Sequence, residues 1–92
     1  MKIPKTLKIG GHIVKIDYTQ DLENDNGNSD FSKNLISICK TLPQDQKEST
    51  LIHEILHFLN STLGGENTLS HCLLDSLAEQ IYQVLKDNNL LK

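Results

Sequence analysis

The chain reads as an α+β domain, with strands and tight turns in its first half and two amphipathic helices in its second. Three observations lead there. Apolar and polar residues alternate on either side of Gly10-Gly11, as in half-buried strands joined by a two-residue turn. A second alternating stretch runs from Leu35 to Cys39. After Thr41 the apolar spacing changes to three and four residues, the period of a helix with one buried face. A chain of 92 residues has room for a single domain, 1–92, with one small core.

The elements follow in order. Leu7 to Tyr18 forms a hairpin, with Leu7 and Ile9 before the turn and Ile13, Val14 and Ile16 after it. His12, just past the turn, reads as a solvated strand-end residue rather than a ligand. Asp21 to Asp30 is polar and turn-rich, and lacks the Asp spacing and closing Glu of an EF-hand, so a mobile connection is expected there. Ser29 to Ser32, Lys33-Asn34 and Leu35 to Cys39 read as a second hairpin, whose last strand buries parts of both faces.

Thr41 fits a helix N-cap, with Pro43 in the first turn and Gln44 placed for a capping box. Asp45 and Glu48 then occupy early turns that the helix dipole favours. This helix should reach about Thr62 and stop at Gly64-Gly65, and a second should run from Thr68, as its cap, to about Asn88. On a helical wheel Leu74, Leu77, Ala78, Ile81 and Leu85 of the second helix form an apolar stripe. His71, Asp75 and Tyr82 lie along one flank of it, and Glu79 falls further round, toward solvent.

Composition narrows the function. A net charge of −3 argues against a partner bound by phosphate neutralisation, so no nucleic acid is expected. The N-terminus carries no signal-peptide pattern and no stretch is long and apolar enough to span a bilayer, so no membrane partner is expected and the setting should be cytoplasmic. Cys39 and Cys72 are too few for a disulfide framework and read as small, mostly buried hydrophobes, with a thiolate ligand from Cys72 as the lesser alternative.

The chemistry concentrates in Thr50-Leu51-Ile52-His53-Glu54-Ile55-Leu56-His57. Two imidazoles four residues apart share one helical face and reach a single zinc ion. The intervening Glu54 projects near that ion without ligating it, where a carboxylate can take a proton from a water that the metal polarises. A third ligand can enter from the polar flank of the second helix, where the pattern leaves Asp75 and a simple solvated side equally open.

With these motifs the chain resembles the small phage and prophage zincin-type proteins, minimal zinc metallopeptidase domains often called minigluzincins. The resemblance rests on the order of strands, the Thr-Leu-Ile-His-Glu-Ile-Leu-His helix and the last helix from Leu74 to Asn88. It implies a small, mainly antiparallel sheet with one edge strand lining the cleft, then a motif helix and a ligand helix. An acidic residue, usually Glu, stands in that family three positions before the Ala of the last helix; here it is Asp75, one methylene shorter. Carried over, His53, His57 and Asp75 bind Zn2+ and Glu54 is the catalytic base, with Glu79 as the alternative third ligand. The resemblance further implies a peptide or protein substrate pairing with an edge strand, for which Leu35 to Cys39 is the natural choice, and a host-cell cytoplasm if the chain is phage-encoded.

The leading expectation is therefore a zinc-dependent peptidase, with His71 and Tyr82 as candidate oxyanion donors or packing residues. The alternative is a zinc-stabilised protein-binding module with little or no catalysis, favoured by the small size of the chain; a vestigial motif is a third reading. Glu54 discriminates among them, since a purely structural site has no use for a carboxylate that binds water instead of metal.

Overall fold

The first hairpin forms where the glycines place it. In the computed structural model, which describes residues 2–19, 26–62 and 70–90, Gly10 and Gly11 take φ values of 58° and 82°. These are the left-handed angles that a two-residue turn requires. The turn joins β1 (Thr6–Ile9) to β2 (His12–Thr19) as an antiparallel pair. Val14 and Ile16 face the core while Ile13, Lys15 and Asp17 face solvent, and His12 is exposed as expected.

The second hairpin forms, with its first strand two residues earlier than Ser29 to Ser32 and so reaching into the polar stretch. Gly27–Asp30 is β3, paired antiparallel with β4 (Leu35–Cys39) through the turn at 31–34. The rest of the expected connection, 21–25, lies outside the described residues. Asp30 organises the turn: its Oδ1 accepts from Ser32 Oγ at 2.7 Å and from the amides of Ser32 and Lys33 at 3.1 and 3.3 Å. The hydrogen bond from Ser32 leads in holding its carboxyl below the ordinary value. Asn34 closes the turn at a φ of 50°.

The sheet order is β1-β2-β4-β3, and the central pair β2–β4 is parallel. The sheet is therefore mixed, with two antiparallel pairings around one parallel one. Leu35–Cys39 is thus an interior strand and not the edge that was expected to receive a peptide. Composition explains the placement. Ile36 and Ile38 are fully buried and the intervening residues half-buried, which suits a central strand, whereas Gly-Asn-Ser-Asp suits a short polar edge.

α1 (Gln44–Thr62) lies across one face of the sheet, where Leu51 and Phe58 join Ile9, Val14, Ile16, Ile36 and Ile38 in one core. It starts later than a Thr41 cap would place it. The Pro43 carbonyl accepts the first helical bond, from Lys47 N at 3.0 Å, and the Thr41 hydroxyl meets Cys39 Sγ at 3.3 Å. A residue that precedes proline avoids the helical region, so Leu42 cannot be the first helical residue. Gln44 is the first residue of the helix, and its side-chain amide donates to Glu48 Oε2 at 3.2 Å.

Among the described elements, α2 (His71–Asp87) packs on α1 alone. Its cap is Ser70, whose Oγ accepts from Leu73 N at 3.2 Å. The expected cap Thr68 and the stop Gly64-Gly65 lie outside the described residues. At the far end Leu90 N bonds Leu85 O at 2.8 Å and Asn89, at a φ of 57°, bonds Lys86 O at 3.2 Å, a Schellman ending. The helix is rotated from the expected wheel. Leu74, Ala78 and Tyr82 are buried, Ile81 and Leu85 are half-buried, and Leu77 is exposed. The polar groups of α1, Glu48 and the two histidines, draw in the flank of α2 that carries His71, Asp75 and Tyr82. Among the described residues no helix is long and apolar enough to cross a membrane.

Candidate metal centre

The central turns of α1 present their side chains in two directions. His53 and His57 face α2, one turn apart, with Nε2 atoms 3.0 Å from one another and ring centroids at 4.7 Å. Glu54, a third of a turn further round, points toward β3 and is buried. Its carboxylate accepts a hydrogen bond from Ser29 Oγ on that strand.

α2 supplies the facing half. Asp75 Oδ1 lies 3.1 Å from His53 Nε2, and Oδ2 lies 3.5 Å from His71 Nε2. The His71 ring stacks on His57 with centroids 5.1 Å apart and planes 29° apart. One ligand atom from each of His53, His57, His71 and Asp75 lies within 4.8 Å of all the others. Zinc held by nitrogen at roughly 2.0–2.1 Å in a tetrahedron spaces its ligand atoms at about 3.3–3.4 Å. The His53–His57 and His53–Asp75 separations, 3.0 and 3.1 Å, are close to that spacing.

A direct test of fit is the state of Asp75. Its Oδ1 is buried and has no hydrogen-bond partner; the nearby His53 nitrogen is close enough for an ion pair but not aligned for a hydrogen bond. A buried carboxylate oxygen without a partner carries a desolvation cost, and a cation at the centre of the four groups removes it. The donor set of imidazoles and one carboxylate suits zinc and neighbouring divalent ions alike. His57 is poised for the role: burial first, then the neighbouring His53 and His71, lower its pKa below the ordinary value against the opposing pull of Glu54 and Asp75. Metal ligation needs that neutral form.

His53, His57 and His71 open on a cleft of about 770 Å³ whose wall includes Gly27 and Ser29 of β3, with Glu54 beside them. The approach of β3 to α1 depends on Gly27. A Cβ there would stand 2.6 Å from Thr50 Cγ2, 3.2 Å from Ser37 O and 3.3 Å from Glu54 Cγ. Glycine is therefore what lets the edge strand lie at the level of the glutamate. Phe31, in the turn that follows, meets Phe58 edge to face at 4.9 Å and extends the wall.

The structure brings His53, His57 and Asp75 together and keeps Glu54 beside them, outside the ligand set. Glu79 lines the cleft but is exposed and outside the cluster, so of the two acidic candidates Asp75 is the one positioned to ligate. Tyr82 is committed elsewhere: its hydroxyl donates to the buried Glu48 Oε1 at 2.9 Å. Cys72 is exposed, not buried, and Cys39 is half-buried; neither joins the cluster. Its first-turn position turns Cys72 away from α1, between the inward-facing His71 and Leu74.

Three features escaped the sequence. The place of His71 in the cluster was available in principle, because His71 and Asp75 repeat on α2 the four-residue spacing of His53 and His57 on α1. Ser29 and Gly27 gave no signal, since their roles depend on which strand takes the edge. No protein-family model, curated protein or solved structure matches the chain.

Proposed function

We propose that the chain is a zinc-dependent peptidase of minimal zincin-like design, as its resemblance to the phage and prophage zincin-type proteins implies. The observation that carries this reading is the orphaned Oδ1 of Asp75 within a four-residue ligand cluster, beside a buried Glu54 that stays out of the cluster. Bound zinc supplies a Lewis acid that polarises a water and the scissile carbonyl. His53, His57 and Asp75 hold it. Glu54 takes the proton of the attacking water and passes it to the leaving amine. Ser29 restrains the Glu54 carboxylate from the strand side, which fixes its orientation before substrate arrives.

The substrate is an extended peptide. β3 is the sheet edge that lines the cleft, and its outer side has no strand partner among the described residues. Its backbone amides and carbonyls offer a ladder for β-addition, so this role passes from Leu35–Cys39 to Gly27–Asp30. On this reading the protein acts in the cytoplasm, that of the host if a phage encodes it.

The test is Glu54→Gln, which preserves shape and removes basicity. It should retain zinc and fold while abolishing hydrolysis in a peptide-library digest read by mass spectrometry. Equal cleavage by wild type and variant sinks the catalytic reading. A second reading, a zinc-stabilised binding module, has one observation in its favour: with His71 included, four protein groups converge, enough to close a tetrahedral site.

A further inference from the structure

The sequence offers His71 as an oxyanion donor or a packing residue, but the structure sets it within the ligand cluster, where its position decides whether the site is open. Three protein ligands leave a coordination position for a reactant, whereas four fill a tetrahedron. We propose that His71 is a fourth, displaceable protein ligand, which closes the metal site at rest and vacates it when a reactant binds. The inference rests on the zinc assignment to His53, His57 and Asp75 and concerns regulation of that same site.

The placement of the ring supports ligation. His71 presents Nε2 inward, as His53 and His57 do, and the carboxylate of Asp75 spans the gap with Oδ1 against His53 and Oδ2 against His71. A surface imidazole four residues before a carboxylate is ordinarily free to turn outward; here it stacks on His57 and stands edge-on to His53, with centroids 5.9 Å apart. His53 and His57 already bring their Nε2 atoms to 3.0 Å from one another, and His71 Nε2 reaches Asp75 Oδ2 at 3.5 Å. A single cation accepts all of their lone pairs at once.

Its attachment supports displacement. The His71 side chain is 72% exposed against 27% for His53. It is the first residue of α2, directly after the Ser70 cap, whereas His53 and His57 stand in the interior turns of a 19-residue helix. Rotation about its side-chain bonds moves its ring into solvent without disturbing Leu74 or Ala78, the nearest buried residues of α2. The exchange is a ligand substitution: the His71 nitrogen leaves as a neutral imidazole, the incoming oxygen donor takes its place, and no electron is transferred. Asp75, one turn further on, keeps its hold.

Two measurements test this without requiring turnover. In 15N-labelled, zinc-loaded wild type, long-range 1H–15N correlation spectra should show metal-bound Nε2 signals for three histidines, with the exposed His12 as a free internal control. Metal-bound signals from His53 and His57 alone overturn the inference while the zinc assignment stands. No metal-bound imidazole overturns both. In the second measurement Co2+ replaces zinc and azide probes for an open position by visible absorption. His71→Ala should respond to azide at concentrations that leave wild type unchanged. It should also bind zinc more weakly by at least the roughly 10–100-fold typical for loss of a residue that merely supports a ligand. An unchanged zinc affinity with an azide response equal to wild type overturns the inference.

Discussion

α1 and α2 meet at two polar junctions, and the two are built differently. Toward the N-terminus of α1, Glu48 is buried and fully engaged: it accepts from Tyr82 Oη at 2.9 Å and from Gln44 Nε2 at 3.2 Å. Burial pushes its pKa up, but the hydrogen bonds, those from Tyr82 and Gln44 among them, prevail and hold it below the ordinary value. At the other junction Asp75 faces His53 and His71 with one buried oxygen lacking any hydrogen-bond partner. Both junctions set a carboxylate of one helix against a side chain of the other. Only the first is complete within the protein. A satisfied buried carboxylate acts as a structural tie, whereas a half-exposed one with a buried, unpartnered oxygen among converging imidazoles can hold a cation.

The difference predicts a ranked set of effects. The largest belongs to the open junction. Zinc at about 100 times its dissociation constant adds about 2.7 kcal/mol to the folded state. At about 4–8 °C per kcal/mol for a domain of this size, the melting temperature should rise by roughly 10–20 °C. Scanning calorimetry with and without chelator checks this, and His53→Ala should melt at one temperature under both conditions.

Next comes Gly27→Ala, which drives a methyl into Thr50 and Glu54. Overpacking of this kind costs about 1–3 kcal/mol, measurable by urea denaturation. The variant should also lose the Ser29 contact to Glu54, seen in a crystal structure as separation of β3 from α1.

The closed junction gives an effect of similar size that depends on pH. Tyr82→Phe removes one hydrogen bond to a charged group and should cost about 1.5–3 kcal/mol at neutral pH, measured on metal-free protein. Because the pKa of Glu48 is lowered on folding, the stability it contributes is full above its ordinary value of 4.5 and is lost as pH falls through the folded value. The deficit of Tyr82→Phe should therefore narrow in acid. The smallest effect is that of Glu79→Ala. Exposed and outside the cluster, it should change stability by less than about 0.5 kcal/mol and leave zinc affinity unchanged.

What was legible in the sequence follows the range of the interaction. The turn at Gly10-Gly11, the alternation in Leu35–Cys39 and the spacing of His53 and His57 are local patterns, and each survives in the structure. The placement of Asp75, rather than Glu79, on the flank beside the histidines was legible as well, because a helix fixes relative angle. The phase of α2 was not. Counting apolar residues placed Leu77 inward, but among the described elements this helix packs only on α1, and hydrogen bonding to Glu48 turns Tyr82 inward instead. Strand order was hidden: the hairpin of β3 and β4 was legible, though set two residues late, but nothing local showed that β4 also pairs with β2 and leaves β3 at the edge. With that order came Gly27 and Ser29, whose contacts join residues far apart in the chain.

The central claim is that Asp75 completes a metal site with His53 and His57. Calorimetric titration of zinc into metal-free wild type and Asp75→Ala tests it most directly. Wild type should take up about one zinc per chain, and Asp75→Ala should bind far more weakly, by well beyond the roughly 10–100-fold that loss of a supporting residue costs. A wild type that takes up no zinc, or an Asp75→Ala protein that binds it as wild type does, contradicts the account.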